Sequence, residues 1–245
     1  PAQAFTDYVV NPHHSALAIM AALRHRRKTG EGQYIDLAQY ESIAHTTGTS
    51  ILEYTTSGRV QTRNGNRSRH SAPQGVYQCE SIPLDDRIEE RWCAISVSNN
   101  QEWQSLCELI DRPDLADDER FATFEARKER EDEIDSVISA WTANRPAEGV
   151  MLQLQAGGVA AGVVQNAKDL LVSDPQLAHS THYREVVHAE TGKSAYDGPP
   201  FSMSDTVLDV RPAPLLGEHN DYIFRNLLSV EDEEIDLGYV EGYIA

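Results

Sequence analysis

The stretch from Asp7 to Glu41, DYVVNPHHSALAIMAALRHRRKTGEGQYIDLAQYE, constrains this chain more than any other. It reads as an acid, a tight helix start, an apolar helix, a basic helix end, a glycine turn and a second helix. Asn11 is expected to N-cap, and Pro12 suits the first helical position, where its missing N–H would go unpaired anyway. Ala16, Leu17, Ile19, Met20, Ala21 and Leu23 make the next turns apolar on most sides, which predicts a buried helix. Arg24, His25, Arg26, Arg27 and Lys28 crowd the carbonyl end, where the helix dipole favours positive charge. Gly30 falls where a left-handed cap belongs, and Gly32 extends the turn.

Asp7 precedes that helix. A carboxylate at a helix N-terminus is held ionised by the exposed N–H groups and can be oriented as a nucleophile. Position alone leaves capping, solvation and catalysis all open.

At 245 residues the chain holds one large or two modest domains. Aliphatic runs are well spread through a sequence that is 40% hydrophobic, so a core is available. The 39 acidic residues outnumber the 21 basic ones, giving a formal charge of −18. That argues against nucleic acid as a partner, because phosphate contacts need a basic surface. It fits a soluble protein, including one from a salty setting. No run approaches the roughly 18 apolar residues of a membrane span, and the first residues lack a signal-peptide pattern. Cys79, Cys93 and Cys107 are odd in number and lack metal-ligand spacing, so they read as packed, reduced thiols of a cytoplasmic protein. No metal site is expected. His13, His14, His25 and His45 have no metal-binding pattern and read as surface or packing residues.

Along the chain, a helix is predicted from about Asp36, with Asp36 and Gln39 as a capping-box-like start. It runs on past Gly48, which implies close packing there. Residues 58–77 break the pattern with glycine, asparagine and proline and read as a loop entering a strand near Val76–Cys79. Trp92–Val97 is a second strand, and 80–91 an acidic loop. Helices are predicted over Asn100–Ile110, Glu125–Ala143 and from Pro146 to Gln155, and a strand over Val159–Val164. The charge run Arg127–Asp135 reads as a solvated face. Strands are predicted at Tyr183–His188 and Val207–Val210, with helices over 217–228 and beyond 231. Glu218 and His219 read as capping residues.

Several segments, taken in order, carry a resemblance. They are the Asp7–Glu41 stretch, RNGNRSRHSAPQGVY (63–77), DRPDLADDERFATFEAR (111–127), AGGVAAGVVQNAKDLLVSDPQL (156–177), and the C-terminal GPPFSMSDT and APLLGEHNDYI. In this order the chain resembles the class III CoA-transferases, the CaiB/BaiF superfamily of formyl-CoA transferase, carnitine CoA-transferase and α-methylacyl-CoA racemase. The resemblance implies an α/β fold, the C-terminal part of an interlocked-dimer enzyme lacking the N-terminal Rossmann-like segment. Residues 1–57 would belong to the large domain, 58–74 to a linker and active-site loop, and 75–165 to a small α/β domain. Residues 166–211 would be a return linker and 212–245 again large domain. Segments 55–65 and 166–180 would thread a homodimer.

By resemblance Asp7 matches the catalytic aspartate. Its carboxylate would attack an acyl-CoA thioester, and an aspartyl anhydride and then an aspartyl-CoA thioester would follow. Coenzyme A enters as substrate, with a carboxylic acid as the other partner, and no permanently bound cofactor is implied. Where the formyl-CoA branch has a polyglycine lid, this chain has Asn66, Arg67, Ser68, Arg69, His70 and Ser71, which implies a different acyl pocket. Asn66, Arg69, His70, Ser71 and Gln74 are the expected substrate contacts, Arg69 and His70 toward an acyl carboxylate. A solvated basic loop is the alternative. The racemase branch needs a carboxylate in the turn Ser98-Asn99-Asn100-Gln101, and neither Asn99 nor Asn100 supplies one. A non-catalytic dimerisation module is the third reading. Arg24, Arg26, Arg27 and Lys28 serve either the helix dipole or phosphates.

Overall fold

The computed structural model describes residues 9–206 and 209–244. Asp7 lies outside the described residues. The chain divides into two compact units, Pro1–Arg69 and His70–Ala245.

In the first unit, α1 (Asn11–Thr29) is followed by α2 (Gln39–Thr46) and α3 (Gly48–Ser57). Gly30 adopts the left-handed cap with φ 79° and donates its N–H to Arg26 O, with Arg26, Arg27 and Lys28 in the last turn. The start differs from the sequence reading. A π-helical turn at Val9–Val10 runs directly into α1, so Asn11 is inside the helix and caps nothing. His13 and His14 hydrogen-bond the carbonyls of Val9 and Val10 through Nδ1. His14 also stacks on His45 of α2, with ring centroids 5.7 Å apart.

The predicted burial of α1 fails too. Leu17, Ile19 and Met20 are exposed, and the described residues of this unit form helices and no strand, so no sheet among them covers the apolar stripe. The long helix predicted from Asp36 is two helices meeting at Thr47. The first starts at Gln39 with Ala38 at the cap position, and Asp36 takes no part. A Cβ at Gly48 would meet nothing within 4 Å, so no close packing depends on that glycine.

The second unit is built on an antiparallel sheet of β1 (Gln74–Gln78), β4 (Trp92–Ser96) and β5 (Ala160–Val163), in the order β1-β4-β5. Tyr77 pairs with Cys93, and Cys93 with Val163. Burial along β4 alternates, with Cys93 and Ile95 inward, the period-2 signature of a sheet covered on one face. The cover is helical: α4 (Asn100–Leu109), α7 (Glu131–Thr142) and α8 (Ala147–Ala156). Trp103 and Leu106 of α4, Ile134 and Ile138 of α7, and Val150 and Leu154 of α8 close the core with Ile95 and Val97. Each such side chain contributes about 1.5–3 kcal/mol by burial.

Between β1 and β4 the acidic loop folds into a small hairpin of β2 (Ile82–Pro83) and β3 (Ile88–Glu89). Between α4 and α7 come α5 (Pro113–Ala116), a 3-10 turn Glu119–Phe121 and α6 (Phe124–Glu129). The helix predicted over Glu125–Ala143 therefore breaks at Arg130, whose backbone (φ −117°, ψ 26°) leaves the helical region. Past β5 lie a π-helical turn Asp169–Ser173 and α9 (Pro175–His179), capped by Asp174 Oδ1 accepting from Leu177 N at 2.7 Å.

A hairpin of β6 (Tyr183–His188) and β7 (Gly192–Asp197) follows, turned by Gly192 with φ 74°. β7 was not anticipated. Of the strand predicted at Val207–Val210, Val207 and Leu208 lie outside the described residues, and 209 and 210 are not in a strand. The helix predicted over 217–228 is a turn followed by a π-helical segment, Tyr222–Leu227, before α10 (Asp232–Glu241).

Candidate active-site elements

The loop singled out from sequence straddles the boundary between the two units, so its residues are described in two groups. On the first unit, Glu53 of α3 accepts from Arg69 Nη1 at 2.8 Å and also meets Arg59 and the Gln61 amide. Ser50 Oγ donates to Gln61 Oε1 at 2.8 Å. The Gln61 amide and the two guanidinium groups hold the Glu53 carboxyl below its ordinary pKa. Arg69, assigned to a substrate carboxylate, is thus already engaged by a carboxylate of its own chain. Asn66 is exposed in the turn that Asn64 closes with its Nδ2 donating to Arg67 O at 2.9 Å.

On the second unit, His70 is exposed, Ser71 is buried and Gln74 is half-buried. Ser71 and Gln74 flank the Ala72-Pro73 bend that leads into β1, beside the C-terminal end of β4. Ser71 Oγ is 3.3 Å from Ser98 Oγ, and Ser96 Oγ donates to Gln74 Oε1 at 3.1 Å. Between them, Ala72 N donates to Val97 O at 3.0 Å and Val97 N to Pro73 O at 2.9 Å. The peptide Ala72-Pro73 is cis.

Arg127 holds this turn from the inside. Its Nε donates to Ala72 O, Nη1 to Phe121 O and Nη2 to Asn100 Oδ1, each at 3.0 Å. The sequence reading placed Arg127 and Glu131 on a solvated face, yet both are buried. The Thr123 N-cap, accepting from Ala126 N at 3.2 Å, fixes the register of α6 that turns Arg127 inward. The available signal was local: Arg127 follows Phe121, Thr123 and Phe124, a cap with flanking aromatics rather than a purely charged run.

In the adjoining turn, Asn99 caps α4 by accepting from Glu102 N at 2.9 Å. Glu102 reaches back to Ser98 N at 2.6 Å, a variant of the capping box. Glu102 is therefore structural, and Asn99 and Asn100 are both occupied in holding local backbone and Arg127.

A second buried guanidinium also went unpredicted. Arg91 meets Glu89 at 3.1 Å, Asp169 at 2.6 Å and the Glu148 carboxylate. The hydrogen bond to Asp169 raises its pKa further above the ordinary arginine range. Asn166 Nδ2 ties into the cluster through Glu89 Oε1 at 2.9 Å. The three thiols are free and buried. Burial pushes Cys93 up to about 11 and Cys107 up to about 12, which makes them poor nucleophiles.

A cleft of about 510 Å³ lined by Val76–Cys79, Ser81, Trp92, Ser139 and Ala143 contains none of the expected site residues. Another of about 360 Å³ is lined in part by His188, Arg211 and His219. Glu218 accepts from Leu215 N at 2.7 Å, in keeping with a local backbone role. Among the described residues no group of three or more His, Cys, Asp or Glu side chains could hold a metal ion, and no helix is long and apolar enough to cross a membrane.

Comparison with known proteins agrees with the motifs. The family model described as CoA-transferase family III matches residues 1–220. The chain is 31% identical over 222 residues to succinyl-CoA–D-citramalate CoA-transferase of Chloroflexus aurantiacus, covering 90% of this chain and 53% of that protein. It is 30% identical to formyl-CoA:oxalate CoA-transferase of Streptomyces avermitilis, covering 94% of this chain and 58% of that protein. It is 31% identical to succinyl-CoA:mesaconate CoA-transferase of Haloarcula hispanica, covering 84% and 49%. The crystal structure of a CaiB/BaiF family protein from Brucella suis superposes with a TM-score of 0.76 at 26% identity, covering 91% of this chain and 55% of that one. The chain thus spans about half the length of the relatives it matches. Family model, ordered motifs and superposition agree over nearly the whole chain, and it belongs to CoA-transferase family III.

Proposed function

We propose that this chain is part of an enzyme that moves coenzyme A from an acyl-CoA thioester to a free carboxylic acid, with Asp7 as the nucleophile. The observation that carries the reading is the family match over residues 1–220, which includes the helix-start motif containing Asp7. The Asp7 carboxylate attacks the thioester carbonyl, the C–S bond breaks, and CoA thiolate leaves an acyl-aspartyl anhydride. The thiolate then attacks the aspartyl carbonyl, forming an aspartyl-CoA thioester and releasing the donor acid. The acceptor carboxylate repeats the two steps in reverse and regenerates Asp7. One thioester replaces another, so no external energy source is needed.

The acceptors named for the relatives above, citramalate, oxalate and mesaconate, are dicarboxylic acids. One carboxylate of such a substrate reacts, and the other needs a cationic partner. Arg69 and His70 are our assignment for it, and Asn66, Ser71 and Gln74 are our assignments for the other substrate contacts. Arg69 would exchange the Glu53 carboxylate for that of the substrate, a swap between chemically equivalent partners. A homodimer threaded through the segments flanking the small domain, located in the cytoplasm, belongs to the same proposal.

The test uses the full-length polypeptide with a panel of acyl-CoAs and free acids, hydroxylamine as trap, and Asp7→Ala as control. A hydroxamate at Asp7 with acid-dependent CoA exchange establishes the transferase. Deuterium uptake at the α-carbon without an adduct would point to racemase chemistry. Neither signal, with Asp7→Ala unchanged, would leave Asp7 as a structural acid.

A further inference from the structure

Arg127 is 1% exposed, and among the described residues it makes no ion pair. Its guanidinium donates to three neutral oxygens on three separate segments: Ala72 O, Phe121 O and Asn100 Oδ1. The Trp103 ring faces it at 5.4 Å. A buried cation with no contact ion pair is costly, and neutral acceptors together with the more distant Glu125 charge offset only part of that cost. What the guanidinium supplies in return is geometry, because its planar fork ties together two backbone carbonyls and the Asn100 side chain on three segments that an apolar side chain would leave free.

We propose that Arg127 is the positioning residue of the acyl-binding turn, fixing the Ala72 carbonyl so that Ser71 and Gln74 hold a defined geometry on either side of it. The inference rests on the CoA-transferase reading above. Three observations converge on this one turn. The Ala72 and Val97 amides pin its outer edge to the end of β4. Ser71 and Gln74 are each anchored to a serine of that strand end, Ser98 and Ser96. Arg127 then takes the remaining carbonyl from the buried side. Asn100, which receives Nη2, stands at the first position of α4, so the same fork also ties the turn to the Asn99–Glu102 cap. A lysine would keep the charge but only at one point, and would not span the three acceptors.

The test compares Arg127→Lys and Asn100→Ala with the wild type in the full-length polypeptide. It reads kcat, KM for the acceptor acid, calorimetric affinity for free CoA, and amide hydrogen exchange. Arg127→Lys is expected to raise KM for the acid about tenfold, with kcat within about twofold and free-CoA affinity unchanged. The amides of Ala72 and Val97 should exchange faster, while those pairing β4 with β5 stay protected. Asn100→Ala removes one acceptor and should move the same quantities in the same direction by about threefold. A fall in melting temperature with KM unchanged, or equal losses in kcat and CoA affinity, overturns the proposal. If Arg127→Lys does not fold, an unchanged KM in Asn100→Ala overturns it alone. Failure of the transferase reading itself would appear earlier, as absence of acyl exchange in the wild type.

Discussion

Arg91 Nη1 lies 2.6 Å from Asp169 Oδ2, joining the residue before β4 to a turn 78 positions later. Asp169 in turn accepts from Asn166 N at 3.0 Å. Burial alone would raise the Asp169 pKa, but the Asn166 N–H and the Arg91 guanidinium outweigh it and hold the carboxyl below its ordinary value. The unfolded chain therefore takes up this proton at higher pH than the folded one. The stabilisation is complete above the unfolded pKa of about 3.9 and is lost as pH falls through that value toward the folded one. Asp169→Asn should cost about 2 kcal/mol at pH 7 and flatten the acid limb of urea-derived stability. An acid limb as steep as in the wild type would count against this account.

Arg91→Met tests the other side of the cluster. Removing the guanidinium leaves Glu89, Glu148 and Asp169 without the cation that they share. Breaking a buried pair on one side typically costs about 3–5 kcal/mol, so this variant should lose more stability than Asp169→Asn. Because the glutamates are partly solvated, we expect the lower end of that range. Denaturation midpoints of the two variants at pH 7 decide the order.

What was legible in the sequence was local. The α4 stretch announces itself through Trp103, Leu106, Cys107 and Ile110, and β4 through alternating Cys93 and Ile95, because the periodicity is carried by the residues themselves. Gly30 was legible for the same reason. Arg127 was not, since its three acceptors lie up to 55 positions away and a window of surrounding charges averages to a solvated face. The hairpin partner Gly192–Asp197 was missed because GKSAYD has no β-branched residue, and pairing with Tyr183–His188 makes it a strand. Asn11 failed as a cap because helical backbone begins before it, at Val9. Of the candidate site, motif order pointed to Asp7, which lies outside the described residues, and to the loop, whereas the pairing of Arg69 with Glu53 is a contact over 16 positions that no spacing rule encodes.

The buried thiols predict alkaline sensitivity. Burial pushes Cys107 up to about 12, whereas an unfolded cysteine titrates near about 8.5. Above that pH the unfolded state sheds a proton that the folded state keeps, so stability falls as pH rises. Each such thiol contributes a slope of up to about 1.4 kcal/mol per pH unit. Urea unfolding of the wild type and Cys107→Ala at pH 8, 9 and 10 should show a shallower decline in the variant. Parallel declines would mean that other groups control the alkaline limb.

Net charge makes a separate prediction. At −18 the folded chain repels itself, and salt screens that repulsion over a Debye length of about 10 Å at 0.1 M and about 3 Å at 1 M. Raising KCl from 0.1 to 1 M should raise the melting temperature by about 2–4 °C, equivalent to about 1 kcal/mol. A melting temperature that falls with KCl would show that ion pairs such as Arg91–Asp169 outweigh the general repulsion.

Glu53 and Arg69 offer the sharpest link from geometry to specificity. Arg69 is bound to Glu53 at 2.8 Å, and Arg59 shares the same carboxylate. Under the proposed function, a substrate carboxylate must win Arg69 from Glu53. Glu53→Gln weakens the competitor while keeping its shape, so KM for a dicarboxylic acceptor should fall about threefold in the full-length polypeptide. Arg69→Ala should raise that KM by about tenfold or more, since a lost charged contact is worth about 1.5–3 kcal/mol. With a monocarboxylic acceptor neither substitution should change KM, because no second carboxylate calls on the guanidinium. Equal effects on both acceptor classes would reduce the Glu53–Arg69 pair to a brace for the loop.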